Sequence, residues 1–166
     1  LNNGNFSNKR INTSKEVNFS IFGRLITYFK DVSIIISVFS KLSKEKLNQK
    51  VNIYFIGCGN EAKTIAKLES FKNEYLKFYF IEKRISQKEY IMHLEKTDCI
   101  ICPIKNKTHV GAFIEFFGQT KITGNLSDIA LSPTPMIMPS FYFSSKEHIP
   151  GVMMYDSELE LLSWIK

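Results

Sequence analysis

Two short segments, far apart along the chain, carry residues suited to an anionic ligand. In the first, Gly23 lets a ligand approach the backbone and Arg24 can bind a phosphate through two parallel hydrogen bonds. In the second, Thr123 and Gly124 precede a short predicted helix that carries Asp128 in its first turns. A helix N-terminus offers unpaired N–H groups and a partial positive charge, so it suits a phosphate, while the carboxylate can bind sugar hydroxyls.

The length and composition of the chain limit the classes to which it can belong. Its 166 residues, 44% of them hydrophobic, are enough for one globular domain with a sizeable core. No apolar run reaches the roughly 18 residues that a membrane span needs. The formal charge of +6 comes mainly from lysines spread along the chain, which indicates solvated surfaces and no nucleic-acid partner. Because the first residue is not Met and no signal pattern follows, we expect a segment of a longer protein.

The cysteines and histidines predict neither disulfides nor a metal site. Cys58, Cys99 and Cys102 are odd in number and two of them lie in apolar runs, so we expect buried free thiols in a reducing compartment, the cytoplasm. The histidines have no metal-ligand spacing with them. We expect His93 on a helix surface and His109 in a long loop, with acid-base work open to them only in principle.

Apolar runs alternate with helical patterns along the chain, which is typical of α/β proteins. The six predicted strands are residues 17–22, 51–56, 77–81, 98–102, 136–138 and 152–155. Their nearly continuous apolar character indicates a mostly parallel sheet that is covered on both faces. We therefore predict a doubly wound, Rossmann-like α/β domain with six strands over residues 17–166, preceded by a linker or leader at residues 1–16.

Local signals predict where helices begin and where the chain departs from regular structure. Asp31 and Asn60 are predicted to cap the helices after the first and second strands. Capping-box spacing at 86–89 and 157–160 predicts the starts of two further helices. The segment 103–119 is long for a connection, so we expect a functional or partner-facing loop whose phenylalanines pack against a neighbouring domain or the sheet edge.

The expected order of the strands brings the two ligand-binding segments together. In the common order 3-2-1-4-5-6, strands 1 to 3 follow one another toward one edge of the sheet and strands 4 to 6 toward the other, so the strand order reverses between strands 1 and 4. Ligands bind beside that reversal, at the carboxyl ends of the strands. The loops concerned are then 23–30 and 103–123, which contain Gly23, Arg24 and Thr123. One crevice is therefore predicted to hold both segments.

Five motifs follow one another along residues 17–166. They are Phe22-Gly-Arg-Leu25 with Lys30, Ile56-Gly-Cys-Gly59, Phe78-Tyr-Phe-Ile-Glu-Lys-Arg84, Ile100-Ile-Cys-Pro103, and Thr123-Gly-Asn-Leu-Ser-Asp128 with Pro135-Met-Ile137. In order and spacing they resemble the C-terminal, nucleotide-sugar-binding domain of GT-B glycosyltransferases of the retaining group 1, family 4-like set. The resemblance implies one domain of a two-domain enzyme that transfers a sugar from a nucleotide diphosphate to a glycan or lipid-linked acceptor in surface polysaccharide synthesis.

The resemblance also implies how the diphosphate would be held. Arg24 and Lys30 would bind it and serve as the catalytic residues, with Gly23 allowing close approach. Thr123 and Gly124 would offer it hydroxyl and backbone N–H groups. The nucleotide sugar is the substrate, and neither a metal nor another cofactor is implied.

The rest of the donor and the acceptor complete what the resemblance implies. Arg84 and Ile85 would contact the base, and Asp128 the ribose hydroxyls. Thr120 stands where the family has the first Glu of an acidic pair. The acceptor site would come from an N-terminal domain of the same protein, so this chain alone would transfer little sugar. The full-length enzyme would act in the cytoplasm, with peripheral association at the inner membrane surface left open.

Two alternatives stay open. Gly57-Cys-Gly-Asn-Glu-Ala62 fits the dinucleotide-binding fingerprint directly after a strand, and Glu82 ends the next strand where a ribose-binding acid belongs, which would suit an NAD-binding domain of an oxidoreductase. That fingerprint follows the second predicted strand, one place away from the expected reversal. The other alternative is a non-catalytic interaction module of the same fold, which the Thr at position 120 favours.

Overall fold

In the computed structural model, which describes residues 16–119, 134–143 and 149–166, strands and helices alternate along the chain. The strands are β1 (Glu16–Phe22), β2 (Lys50–Ile56), β3 (Leu76–Ile81), β4 (Cys99–Ile101), β5 (Lys107–Val110), β6 (Phe113–Phe116), β7 (Met136–Pro139) and β8 (Val152–Tyr155). The α-helices of this part of the chain are α1 (Val32–Leu42), α2 (Ala62–Glu69), α3 (Gln87–Lys96) and α4 (Glu158–Ile165), and Ser140–Tyr142 form a 3-10 helix. None of these helices is long and apolar enough to cross a membrane.

Six strands form one parallel sheet in the order β3-β2-β1-β4-β7-β8. The longest pairing joins β1 to β2, from Glu16 opposite Lys50 to Phe22 opposite Ile56. The order reverses between β1 and β4: β2 and β3 follow on one side of this pair, and β7 and β8 on the other. The predicted doubly wound α/β fold is confirmed, and each of the six predicted strands is present.

Helices cover both faces of the sheet, and the burial pattern shows why. Neighbouring residues of a strand point to opposite faces. Ile21 and Ile101 belong to the apolar cluster that contains most of the buried residues of α1 and those of α4, whereas Phe22 and Ile100 belong to the cluster that contains Leu94 of α3. The central strands therefore bury side chains on both sides, and this requires the continuous apolar runs seen in the sequence.

Most of the predicted helix starts are present. Asp31 Oδ1 accepts the Ile34 N–H at 3.1 Å, and the capping box at 86–89 is complete. Only half of the box at 157–160 forms, because the Glu160 carboxylate accepts the N–H of Asp156 instead. The prediction that Asn60 caps α2 is wrong: the helix begins after Glu61, and no side chain caps it.

The segment 103–119 contains a β-hairpin rather than an irregular loop. β5 and β6 pair antiparallel from Lys107 opposite Phe116 to Val110 opposite Phe113. Gly111 starts the two-residue connection with a φ of +60°, as a type II′ turn requires. Phe117 packs into the apolar cluster around α3, which partly confirms the predicted packing, but Phe113 is 77% exposed. The hairpin is therefore anchored by Phe117 at its base, while Phe113 beside its turn is exposed.

The three cysteines are buried and free, as predicted. Cys99 lies in β4, and burial raises the pKa of its thiol to about 12. Cys58 and Cys102 follow the ends of β2 and β4 and are fully buried, and burial also raises the pKa of the Cys58 thiol. All three thiols are therefore part of the core.

Candidate functional site

The backbone pairing of β1 and β2 continues past the carboxyl ends of the two strands. The Gly23 N–H donates to the Ile56 carbonyl oxygen at 2.8 Å, and the Leu25 N–H donates to the Cys58 carbonyl oxygen at 2.9 Å. These bonds hold the start of the loop that carries Arg24 directly beside the turn after β2. The position of this loop is thus set by main-chain hydrogen bonds.

A second set of bonds ties the turn after β2 to the end of β3. The N–H groups of Gly57 and Cys58 donate to the Ile81 carbonyl oxygen at 2.7 and 3.1 Å. The Gly59 N–H donates to the Glu82 carbonyl oxygen at 3.2 Å. We call the three joined loop starts, residues 23–25, 57–59 and 81–82, the glycine rim.

The glycines of the rim adopt a backbone conformation that other residues rarely adopt. The φ angles of Gly23, Gly57 and Gly59 are +86°, +69° and +74°. A Cβ added at Gly23 or Gly57 would meet no atom within 4 Å, so open space lies over both. A Cβ at Gly59 would lie 3.2 Å from Nε of Arg24, so the arginine side chain lies over this glycine.

A cleft of about 540 Å³ opens along the glycine rim. The residues that line it are Gly23, Arg24, Ile56, Gly57, Gly59, Glu82, Arg84, Ile85 and Tyr90. The cleft therefore joins two pairs of predicted site residues, Gly23 with Arg24 and Arg84 with Ile85, which lie far apart in the sequence. It lies beside β1 at the carboxyl edge of the sheet, on the side of β2 and β3.

The charged side chains that line the cleft have no partner of their own in the described part of the chain. Arg24, Glu82 and Arg84 are exposed, and none forms a hydrogen bond or an ion pair there. Lys83, between two of them, pairs instead with Glu89 at 3.8 Å. Two cationic groups and one anionic group thus line the cleft, and their net positive charge suits an anionic ligand.

The start of α3 holds the far side of the cleft in place. Glu89 Oε2 accepts the N–H and the hydroxyl of Ser86, each at 2.8 Å, and Ser86 in turn accepts the N–H of Glu89. These two bonds from Ser86 lower the pKa of the Glu89 carboxyl. One turn further, the Tyr90 ring packs 4.7 Å from the ring of Phe22. The capping box thereby fixes both Ile85 and Tyr90 relative to the end of the sheet.

Lys30 lies away from the cleft. Only 5% of the residue is exposed, and it forms an isolated antiparallel bridge with Ile104. Its N–H donates to the Ile26 carbonyl oxygen at 3.0 Å, and the next N–H, of Asp31, donates to Pro103 at 2.7 Å. The structure thus places Lys30 between the loops after β1 and β4, and its predicted contact with a diphosphate stays a prediction.

Three further predicted site residues, Thr123, Gly124 and Asp128, lie outside the described residues, as does Thr120. Their predicted contacts with a diphosphate and a ribose stay predictions. The strand predicted after them is present as β7, which pairs with β4 on the other side of the reversal. Of the eight predicted site residues, the structure therefore brings Gly23, Arg24, Arg84 and Ile85 together.

Three of the six backbone N–H groups of the dinucleotide-binding fingerprint, residues 57–62, are occupied. In such loops glycines let the backbone approach a pyrophosphate, which lies at the N-terminus of the following helix. Here the N–H groups of Gly57, Cys58 and Gly59 donate to β3 and its following residue instead. Gly57 and Gly59 are thus explained by the geometry of the rim, although Glu82 does line the same cleft.

The histidines of the described residues are not part of the cleft. His93 lies half-buried on α3, where burial and the neighbouring Lys96 lower the pKa of its imidazole. His109 is exposed on β5. Within residues 16–119, 134–143 and 149–166, no group of three His, Cys, Asp or Glu side chains is placed to hold a metal ion.

Two residues of the cleft, Ile56 and Tyr90, have no ligand contact in any function predicted from the sequence. The sequence predicts Ile56 as the end of a strand and the first residue of a motif, and Tyr90 as part of the apolar face of a helix. A signal for Tyr90 exists in the sequence, because the capping box at 86–89 places it one turn into a helix that begins at the carboxyl end of a strand.

No model of a known protein family matches the chain, and no curated protein matches it. Its function is therefore inferred from the geometry of the cleft together with the motifs of the sequence.

Proposed function

We propose that the chain is the nucleotide-sugar-binding domain of a GT-B glycosyltransferase, which transfers a sugar from a nucleotide diphosphate to a glycan or lipid-linked acceptor in surface polysaccharide synthesis. One observation carries the proposal: Arg24 and Arg84, two of the three arginines of the chain, line one cleft without partners of their own among the described residues. An N-terminal domain of the same protein supplies the acceptor site. The enzyme acts in the cytoplasm.

Arg24 is the group proposed to bind the diphosphate. It follows β1, next to the reversal of strand order, where ligands of doubly wound sheets bind. Open space over Gly23 lets a phosphate reach the backbone, and the guanidinium offers two parallel donors. Because the Arg24 side chain already lies over Gly59, it needs little reorganisation to bind.

The proposed chemistry is displacement at the anomeric carbon. The bond between that carbon and the diphosphate oxygen breaks, the acceptor oxygen forms the new bond to the carbon, and the diphosphate leaves with an additional negative charge. A cation held at the diphosphate stabilises this charge as it develops. Arg24 therefore serves both binding and catalysis.

The far end of the cleft suits the base. Ile85 and Tyr90 offer apolar and aromatic surface, and the charged groups of Glu82 and Arg84 lie beside them. Flat rings bury well against such surfaces, while polar groups at the edge give orientation. This agrees with the resemblance, which implies that Arg84 and Ile85 contact the base.

NAD binding is the second candidate, and one observation favours it. Glu82 lines the cleft together with Gly57 and Gly59, as the ribose-binding acid of a dinucleotide site would. The place of the fingerprint argues against it, because these residues follow β2, one strand away from the reversal of strand order between β1 and β4. A non-catalytic module of the same fold would bind neither class of nucleotide.

Titration calorimetry of the chain with UDP, GDP, ADP and NAD separates these functions. We expect binding of a nucleoside diphosphate, and Arg24→Gln should weaken it by about 1.5 to 3 kcal/mol, the usual contribution of a charged hydrogen bond. Lys83→Gln is the matched control, since it removes one positive charge from the same edge but does not line the cleft. Tight NAD binding without any response to nucleoside diphosphates, or equal losses in the two variants, would refute the proposal.

A further inference from the structure

Two side chains of opposite charge lie two residues apart in the loop after β3, and both line the cleft. Glu82 and Arg84 are exposed, and they form no ion pair with each other. The residue between them, Lys83, pairs with Glu89. Because this carboxylate and this guanidinium do not pair with each other, they can bind a ligand that carries both hydrogen-bond donors and acceptors.

The position of this pair corresponds to the base of a nucleotide whose diphosphate binds Arg24. β1 and β3 are separated by β2 alone, so the loops that follow them are about 10 Å apart, two strand spacings. A nucleotide lying along the glycine rim from Arg24 would therefore extend its base toward the loop after β3. There the base would also meet Ile85 and Tyr90.

Guanine is the base whose edge fits this pair of groups. It carries two adjacent donors, N1–H and the N2 amino group, which a carboxylate can accept together, and two acceptors, O6 and N7, which a guanidinium can bind. Uracil offers one N–H between two carbonyl oxygens, so a carboxylate would face an oxygen. Adenine and cytosine each offer one amino group beside a ring nitrogen that accepts, so neither can give a carboxylate two donors.

We propose that the cleft selects guanine, with Glu82 accepting from N1–H and the N2 amino group and Arg84 donating to O6 and N7. The donor substrate would then be a sugar linked to guanosine diphosphate. This inference rests on the proposed function, because it assumes that a nucleoside diphosphate occupies the cleft with its phosphates at Arg24.

The test compares GDP with inosine diphosphate, which differs only by lacking the N2 amino group. By calorimetry, the unmodified chain should bind GDP about ten- to a hundredfold more tightly than inosine diphosphate, because one charged hydrogen bond is lost. Glu82→Gln should weaken GDP binding and lower the ratio of the two affinities severalfold, because the amide offers one uncharged acceptor where the carboxylate offers two. Glu95→Gln, which neutralises an exposed carboxylate of α3 outside the cleft, should leave the ratio unchanged.

The outcomes separate this inference from the proposed function. Preference for UDP or ADP over GDP, or a ratio that Glu82→Gln leaves unchanged, would overturn the selection of guanine while the site for a nucleoside diphosphate stands. Binding of NAD alone, or of no nucleotide, would refute the proposed function and the inference with it. Circular dichroism of Glu82→Gln checks that the variant folds, as we expect because the Glu82 side chain is exposed.

Discussion

Gly118, two residues after β6, is a position where one added methyl group should strongly destabilise the domain. Its φ is +84°, and a Cβ there would overlap the backbone carbonyl of Tyr142, lying 2.8 Å from the carbonyl carbon. The neighbouring chain cannot yield easily, because Tyr142 is buried in the apolar cluster around α3 and ends a 3-10 helix. Gly118→Ala therefore combines backbone strain with steric overlap against a fixed main chain.

The two contributions can be separated with a second glycine. Gly151 has nearly the same φ, +79°, but a Cβ there would meet no atom within 4 Å. Gly151→Ala should lower the free energy of unfolding only by the cost of the left-handed conformation, about 1 to 2 kcal/mol. Gly118→Ala should lower it by that amount and by about 1 to 3 kcal/mol more, because packed neighbours are forced apart. We thus expect a total loss of roughly 2 to 5 kcal/mol for Gly118→Ala.

Urea unfolding followed by circular dichroism measures both losses, and thermal unfolding gives a second reading. The additional loss at Gly118 corresponds to a Tm about 2 to 12 °C below that of Gly151→Ala, for a domain of this size. Trp164, the single tryptophan of the chain, is half-exposed and donates its indole N–H to the Met154 carbonyl oxygen, so its fluorescence reports the same transition. Equal losses in the two variants would show that the close contact with Tyr142 does not constrain the fold.

Two further predictions concern ionisation. Hydrogen bonds from Lys41, at 2.7 Å, and from Ser37 lower the pKa of the Glu158 carboxyl, so this group stabilises the fold above its ordinary pKa of 4.5 and loses the effect as the pH falls through its lower native value. Glu158→Gln should therefore be less stable than the unmodified chain at pH 7, with the difference shrinking below pH 4.5; a difference constant down to pH 3 would contradict this. Because burial raises the pKa of the Cys99 thiol to about 12, this cysteine should react with a thiol reagent only after unfolding, and rapid labelling of Cys99 in the native protein, located by mass spectrometry, would show that the strand opens.

The parts of the fold that the sequence predicts correctly are those governed by local or strongly periodic signals. The six strands of the sheet are recognisable because burial on both faces demands apolar residues at successive positions. Asp31 is recognisable because its cap involves the N–H of Ile34, only three residues away. The common order of doubly wound sheets then suffices to place Arg24 beside the reversal of strand order.

Features that depend on contacts between distant segments were missed or misplaced. Asn60 is not the cap of α2, because the Gly59 N–H pairs with the Glu82 carbonyl and delays the start of the helix. The sequence does not predict the hairpin of β5 and β6, because most of its side chains are exposed and such a ribbon needs no alternation of apolar and polar residues. The burial of Lys30 likewise follows from the bridge to Ile104, more than seventy positions along the chain.

The glycine rim is held by main-chain hydrogen bonds, whereas the charge of the cleft comes from side chains. Its five hydrogen bonds join main-chain atoms only, so they form whatever side chains stand at positions 24, 82 and 84. Substitutions there can change the chemistry of the cleft at little cost to stability, whereas the left-handed glycines cannot be replaced without strain. Such an arrangement favours divergence among related proteins. A few point mutations in the side chains of the cleft can change the preferred ligand, while the hydrogen-bonded main chain of the rim stays the same.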